Sequence, residues 1–97
     1  MATVVYSARA LEHIERTLGS LRAGDSQIAE VAASAIRTAV ESLAVHPFIG
    51  RRIEGDVREL IVSYGRTGSV VMYRYRLPGD EVRVLALRHQ RAVGYLP

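Results

Sequence analysis

"VRELIVSYGRTGSVVMYRYRLPGDEVRVLALRH" (residues 57–89) holds three runs rich in β-branched and aromatic residues, separated by "GRTG" and "LPGD". Connections of that length with glycine in each are hairpin chemistry. The runs Val57 to Tyr64, Ser69 to Arg76 and Val82 to His89 therefore read as an antiparallel meander. Side chains alternate between the two faces of a strand. Val71, Tyr73 and Tyr75 should point one way, and Val70, Met72, Arg74 and Arg76 the other. The same parity groups Val82, Val84, Ala86 and Arg88 against Arg83, Leu85, Leu87 and His89, and puts Arg58, Leu60, Val62 and Tyr64 together. Both faces are thus partly apolar and partly arginine-bearing, and one of them has to meet the rest of the chain.

Upstream, "PFIGRRIEGD" reads as a loop turning at Gly50 and Gly55. Before it come two helical patterns. Ala8, Leu11, Ile14, Leu18 and Leu21 recur at steps of three and four, with Ser7 placed as N-cap. Gly24 and Asp25 stop that helix and cap a second, which carries the broad stripe Ile28, Val31, Ala32, Ala35, Ile36, Ala39, Val40 and Leu43. His46 before Pro47 ends it, because proline disfavours helical geometry in the residue before it. A short β-rich run, Thr3 to Tyr6, opens the chain. The expectation is an α+β fold in the order βααβββ, a helical hairpin packed on a small, mainly antiparallel four-stranded sheet. With 97 residues, 1–97 should form a single domain.

Composition excludes several classes. No apolar run approaches the roughly 18 residues of a membrane span, and the N-terminus lacks the pattern of a secretory signal. There is no cysteine, so neither a disulfide framework nor a thiolate zinc site is available, and a cytoplasmic location follows largely by elimination. His13, His46 and His89 have no ligand spacing, so no metal and no cofactor is expected. His13 and His46 read as surface or boundary residues. The net charge is +3, and all 13 basic residues are arginine, whose planar fork suits phosphate and carboxylate. Asp80 and Glu81 form a solvated hairpin tip rather than a catalytic pair.

The cluster that asks for a function is "LRHQRAVGY". His89 can exchange protons near neutrality, Arg88 and Arg91 can neutralise phosphate, and Tyr95 can stack or donate a hydrogen bond. An RNase needs those functions, and a protein interface favours the same residue types.

The ordered set His46-Pro47, Gly50-Arg51, Arg58-Glu59-Leu60, Tyr73-Arg74-Tyr75 and Leu85-Ala86-Leu87-Arg88-His89-Gln90 resembles the RelE/ParE superfamily of bacterial type II toxin–antitoxin systems. The resemblance spans essentially the whole chain and implies the same βααβββ fold. It also implies growth inhibition, plasmid stabilization, and neutralisation by a cognate antitoxin through which operator DNA alone would be reached. ParE-like members poison DNA gyrase; RelE-like members cut mRNA on the ribosome. Nucleolytic members carry a catalytic arginine where this chain has Val70, and their basic pair is reduced here to Arg58 followed by Glu59. The long hairpin and "HPFIG" look ParE-like. The expectation is a non-enzymatic gyrase inhibitor with target-binding residues Arg74, Arg88, His89, Gln90, Arg91 and Tyr95. The alternative is an mRNA endonuclease using Arg58, His89, Arg91 and Tyr95; a member that only binds its antitoxin is the third class.

Overall fold

The computed structural model describes residues 1–97, in the order β1 (Thr3–Tyr6), α1 (Ala8–Gly24), α2 (Ser26–Ser42), β2 (Arg51–Glu54), β3 (Val57–Tyr64), β4 (Thr67–Arg76) and β5 (Glu81–His89). The strands form one sheet in the order β1-β5-β4-β3-β2. Every neighbouring pair is antiparallel except β1 with β5. The architecture is α+β as expected, with one strand more than expected: Arg51–Glu54, read from sequence as loop, pairs with β3. All four of its residues are exposed, so it has no apolar face to betray it. No helix is long and apolar enough to cross a membrane.

Both helices start where their caps stand. The Ser7 hydroxyl accepts from the Ala10 amide at 3.0 Å, and the Asp25 carboxylate accepts from Gln27 at 2.9 Å. The single residue Asp25 both ends α1 and caps α2, which folds the pair into a hairpin over one sheet face. The core joins Ala10, Ala32, Ile36 and Val40 of the helices to Val62, Tyr64, Val71, Val84 and Leu87 of the sheet. Each fully buried valine or leucine contributes about 1.5–3 kcal/mol. The helical stripes are narrower than the periodicity implied: Leu11, Ile28 and Val31 remain about half exposed on the outer surface of the hairpin.

Register decides the faces. Tyr73 lies opposite Val84 and Met72 opposite Ala86, so Leu85 is an extra residue, a β-bulge that reverses parity along β5. Before it, Val82 and Val84 face the helices; after it, Leu87 and His89 do. Arg88 is thereby turned to the open face with Arg83, opposite Val70. The uninterrupted alternation, which grouped Arg88 with Val84 and His89 with Arg83, is corrected by this one residue.

His13 is also corrected. It is buried, and its Nδ1 accepts from the Leu87 amide at 3.1 Å. Pairing of β1 with β5 ends at Tyr6 and Val84, so the edge of β5 beyond that point needs other partners. Ser7 and His13 supply them, the Ser7 hydroxyl donating to the Leu85 carbonyl at 3.0 Å. An orphaned buried amide would otherwise cost about 1–3 kcal/mol.

Candidate functional site

The open face of the sheet, away from the helices, is built from alternate residues of the three long strands. Cross-strand partners share a face. The pairs Glu59 with Met72, Ile61 with Val70, Arg74 with Arg83 and Val70 with Arg88 therefore all lie on it. Arg51, opposite Glu59 on β2, joins them.

Arg88 and Tyr95 meet at one end of this face, around Glu59. The Tyr95 hydroxyl donates to Glu59 Oε2 at 2.7 Å, and Arg51 Nη2 donates to Glu59 Oε1 at 3.2 Å. The Arg88 guanidinium lies 5.4 Å from the Tyr95 ring centroid and 3.8 Å from Glu59 Oε2. Its Nη1 donates to the carbonyls of His89, Gln90 and Ala92 at 3.2–3.3 Å, which shapes the turn after β5. Burial, with the hydrogen bond to Glu59 and the charge of that carboxylate, pushes the Tyr95 phenol well above its ordinary value. The phenol is a neutral donor committed to Glu59.

His89 is on the opposite face. Its Nδ1 accepts from the Arg91 amide at 3.1 Å, so the neutral ring carries its proton on Nε2 and donates to Thr67 Oγ1 at 2.7 Å. Gln90 and Arg91 are exposed in the turn beyond it, and the Gln90 amide is tied to the Gly68 carbonyl at 3.1 Å.

Arg58 stands elsewhere again. It faces the helix side opposite Tyr73 and donates to the carbonyls of Gly50 at 2.8 Å and Phe48 at 3.2 Å, with its guanidinium 5.0 Å from the Phe48 ring centroid. Tyr73 completes this staple: its hydroxyl donates to Pro47 at 2.8 Å and accepts from the Gly50 amide at 2.9 Å. "HPFIG" is held down by these two side chains. Along β3, Arg58 is four residues from Val62, the position level with Ser69 and His89. That is roughly 13 Å along the sheet before the strand spacing is added.

The four residues of the nucleolytic expectation are therefore not brought together. The structure unites Arg88 and Tyr95, adds Glu59 and Arg51, and leaves Arg58 apart; His89, although on the other face of the sheet, lines one groove with Arg88 and Tyr95. In the sequence Glu59 signalled only a weakened basic pair; no local pattern links it to a tyrosine 36 residues later. Arg74 lies further along the open face, where Asp56 bridges it to Arg76 at 3.0 and 3.4 Å.

With this geometry, the comparison with known proteins is informative. A family profile described as "ParE toxin of type II toxin-antitoxin system, parDE" matches residues 4–94. The chain belongs to the RelE/ParE superfamily of type II toxins. Similar proteins include Toxin RelE1 of Caulobacter vibrioides, 31% identical over 87 residues, 90% of this chain and 91% of the relative. Toxin RelE3 of the same organism is 39% identical over 61 residues, 63% of this chain and 64% of the relative. Membership of a type II system makes a cognate antitoxin the toxin's partner. The profile bears the ParE name and the relatives the RelE name, so the toxin's target has to be argued from its site.

Proposed function

We propose that this toxin arrests growth in the cytoplasm by binding DNA gyrase rather than by cutting RNA, and that an antitoxin encoded beside it holds it inactive. The observation that carries this reading is that Arg58 is tied down far from the terminal cluster, while Arg88 and Tyr95 within that cluster are engaged by Glu59. Val70 is apolar and buried. Arg88, the guanidinium across from it, is committed to Glu59 and three carbonyls, and His89 lies on the other side of the sheet. A phosphodiester in the groove that Arg88, His89 and Tyr95 line would meet an imidazole tied to Thr67 and the Arg91 amide and a phenol tied to Glu59, whereas electrostatic stabilisation of a transition state requires donors already aimed at it. Target contacts fall to the exposed end of the sheet, His89, Gln90 and Arg91, with Arg88, Tyr95 and Arg74 on the adjoining face.

The antitoxin has apolar surface to use. Leu11, Ile28 and Val31 are exposed on the hairpin, and a groove of about 600 Å³ lies between α1, the end of β5 and the C-terminal segment, lined by Leu21, Leu87 and Leu96 among others. An amphipathic segment seats in such surfaces. Operator DNA would be reached through that antitoxin.

The second reading, ribosome-dependent mRNA cleavage, is favoured by the names of the two relatives and by the contact of Arg88 with Tyr95. It assigns the catalysis to Arg58, His89, Arg91 and Tyr95. The two readings separate in a paired assay of gyrase supercoiling and of mRNA on translating ribosomes, each with and without antitoxin. Inhibited supercoiling with intact transcripts is the expected result. Undisturbed supercoiling at excess toxin, or transcript cleavage lost in His89→Ala and Tyr95→Phe, overturns it.

A further inference from the structure

The far end of the open face carries a second group of arginines, of which the target reading takes up only Arg74. Arg74 and Arg83 are direct cross-strand partners, and Arg76 is opposite Glu81. Like charges placed directly opposite one another destabilise a sheet, yet only two carboxylates attend the three guanidinium groups. Asp56 is shared by Arg74 Nε and Arg76 Nε, while Glu81 takes Arg83 through Nε at 3.2 Å and Nη2 at 3.1 Å. The Asp56 carboxyl, though partly desolvated, is held below its ordinary range by the Arg74 charge and by hydrogen bonds from Arg74 and Arg76. One positive charge is left over. With Arg51 and Arg88 included, five arginines on this face stand against Glu54, Asp56, Glu59 and Glu81, so that the face as a whole keeps an excess of one positive charge, the one left over among Arg74, Arg76 and Arg83.

Between Arg74, Arg76, Glu81 and Arg83 lies a dimple of about 40 Å³. A water's share of liquid volume is roughly 30 Å³, so the dimple takes a single oxygen, not an organic ring. The terminal nitrogens of Arg74 and Arg76 have no hydrogen-bond partner in the protein and remain available. Aromatic rings are elsewhere: Tyr64, Tyr73 and Tyr75 are on the helix side, and Tyr95 lies against Arg88. Unpaired bases bind by stacking on exposed rings, and this end of the face offers them no platform. Backbone phosphates of a duplex need only charge and donors.

We infer that Arg74, Arg76 and Arg83 form a contact for the phosphodiester backbone of duplex DNA, without base readout. The contact is independent of which macromolecule the toxin inhibits, and it is made by the toxin itself rather than by its antitoxin.

The test titrates the full-length toxin, free of antitoxin, with a fluorescent mixed-sequence DNA duplex across a salt series. A matched single-stranded RNA serves as the second probe. The expected result is duplex binding of unchanged strength on different sequences, with a log–log salt slope that falls by about one for each of Arg74→Gln, Arg76→Gln and Arg83→Gln. Arg22→Gln and Arg37→Gln, which remove the same charge from the helices, should leave the slope unchanged. Because removal of several arginines can disturb the sheet, the Arg→Lys versions provide the second arm: they keep the charge and should retain most of the binding and the wild-type melting curve. The inference is overturned by a slope that does not move in the three Gln variants. It is equally overturned by an equal loss in the helix variants, or by RNA bound more tightly than duplex through the same arginines.

Discussion

Tyr95 reaches Glu59 from 36 residues away, and what that contact does is set by its environment rather than by the residue types. A phenol whose value is raised in the fold contributes stability that is fully present below the free value of 10.0 and is lost as pH rises through the folded value. Tyr95→Phe should therefore lower stability by about 1 kcal/mol at neutral pH, the net worth of one hydrogen bond, and make the loss of stability above pH 10 shallower. Urea unfolding at neutral and alkaline pH checks both; parallel curves for wild type and variant would show that the phenol is not coupled to folding. Gly50 is constrained more severely. A Cβ there would sit 2.6 Å from Tyr73 and 2.8 Å from the Glu59 carbonyl oxygen. Gly50→Ala must displace backbone or unseat the tyrosine, and a cost of about 1–3 kcal/mol is expected in the same assay. His13→Ala leaves the Leu87 amide without its acceptor and should cost a similar amount, about 1–3 kcal/mol. From sequence His13 looked like a surface residue, because what buries it is the premature end of β1, not anything in α1.

The elements themselves were largely legible. Both caps, the hairpin, the three long strands and the order of the chain follow from local rules: a hydroxyl or carboxylate before a helical stripe, glycine in two short connections, proline after a helix. Ser7→Ala should lower the melting temperature measured by circular dichroism, with a cost of about 1–2 kcal/mol, since the hydroxyl serves both the Ala10 amide and the Leu85 carbonyl. An unchanged melt would show that neither bond contributes. β2 was not legible, for a physical reason. An edge strand of four exposed residues has no hydrophobic alternation, and it exists because β3 offers it a row of amides and carbonyls. The helical stripes were over-read in the same way. Leu11, Ile28 and Val31 satisfy the period but remain about half exposed.

At the scale of the molecule, the question is which side chains a partner can touch at once. Arg91 and Gln90 are exposed at the end of the sheet, where either face can be approached. Under the gyrase reading, Arg91→Ala should weaken inhibition of supercoiling about tenfold, a loss of about 1.4 kcal/mol at the contact, with no change in the melting curve. A supercoiling titration identical to wild type would remove the terminal turn from the interface. The local patterns of hydrophobicity, caps and turns were enough to establish the α+β order of elements, because each acts over a few residues that are neighbours in the chain, and the superfamily followed from the resemblance of an ordered set of short motifs. The composition of each face, the union of Arg88 with Tyr95 and Glu59, and the separation of Arg58 from them were decided only by the tertiary structure. One additional residue at Leu85 reverses the alternation of everything after it, and strand register is an agreement between distant segments that neither segment records alone.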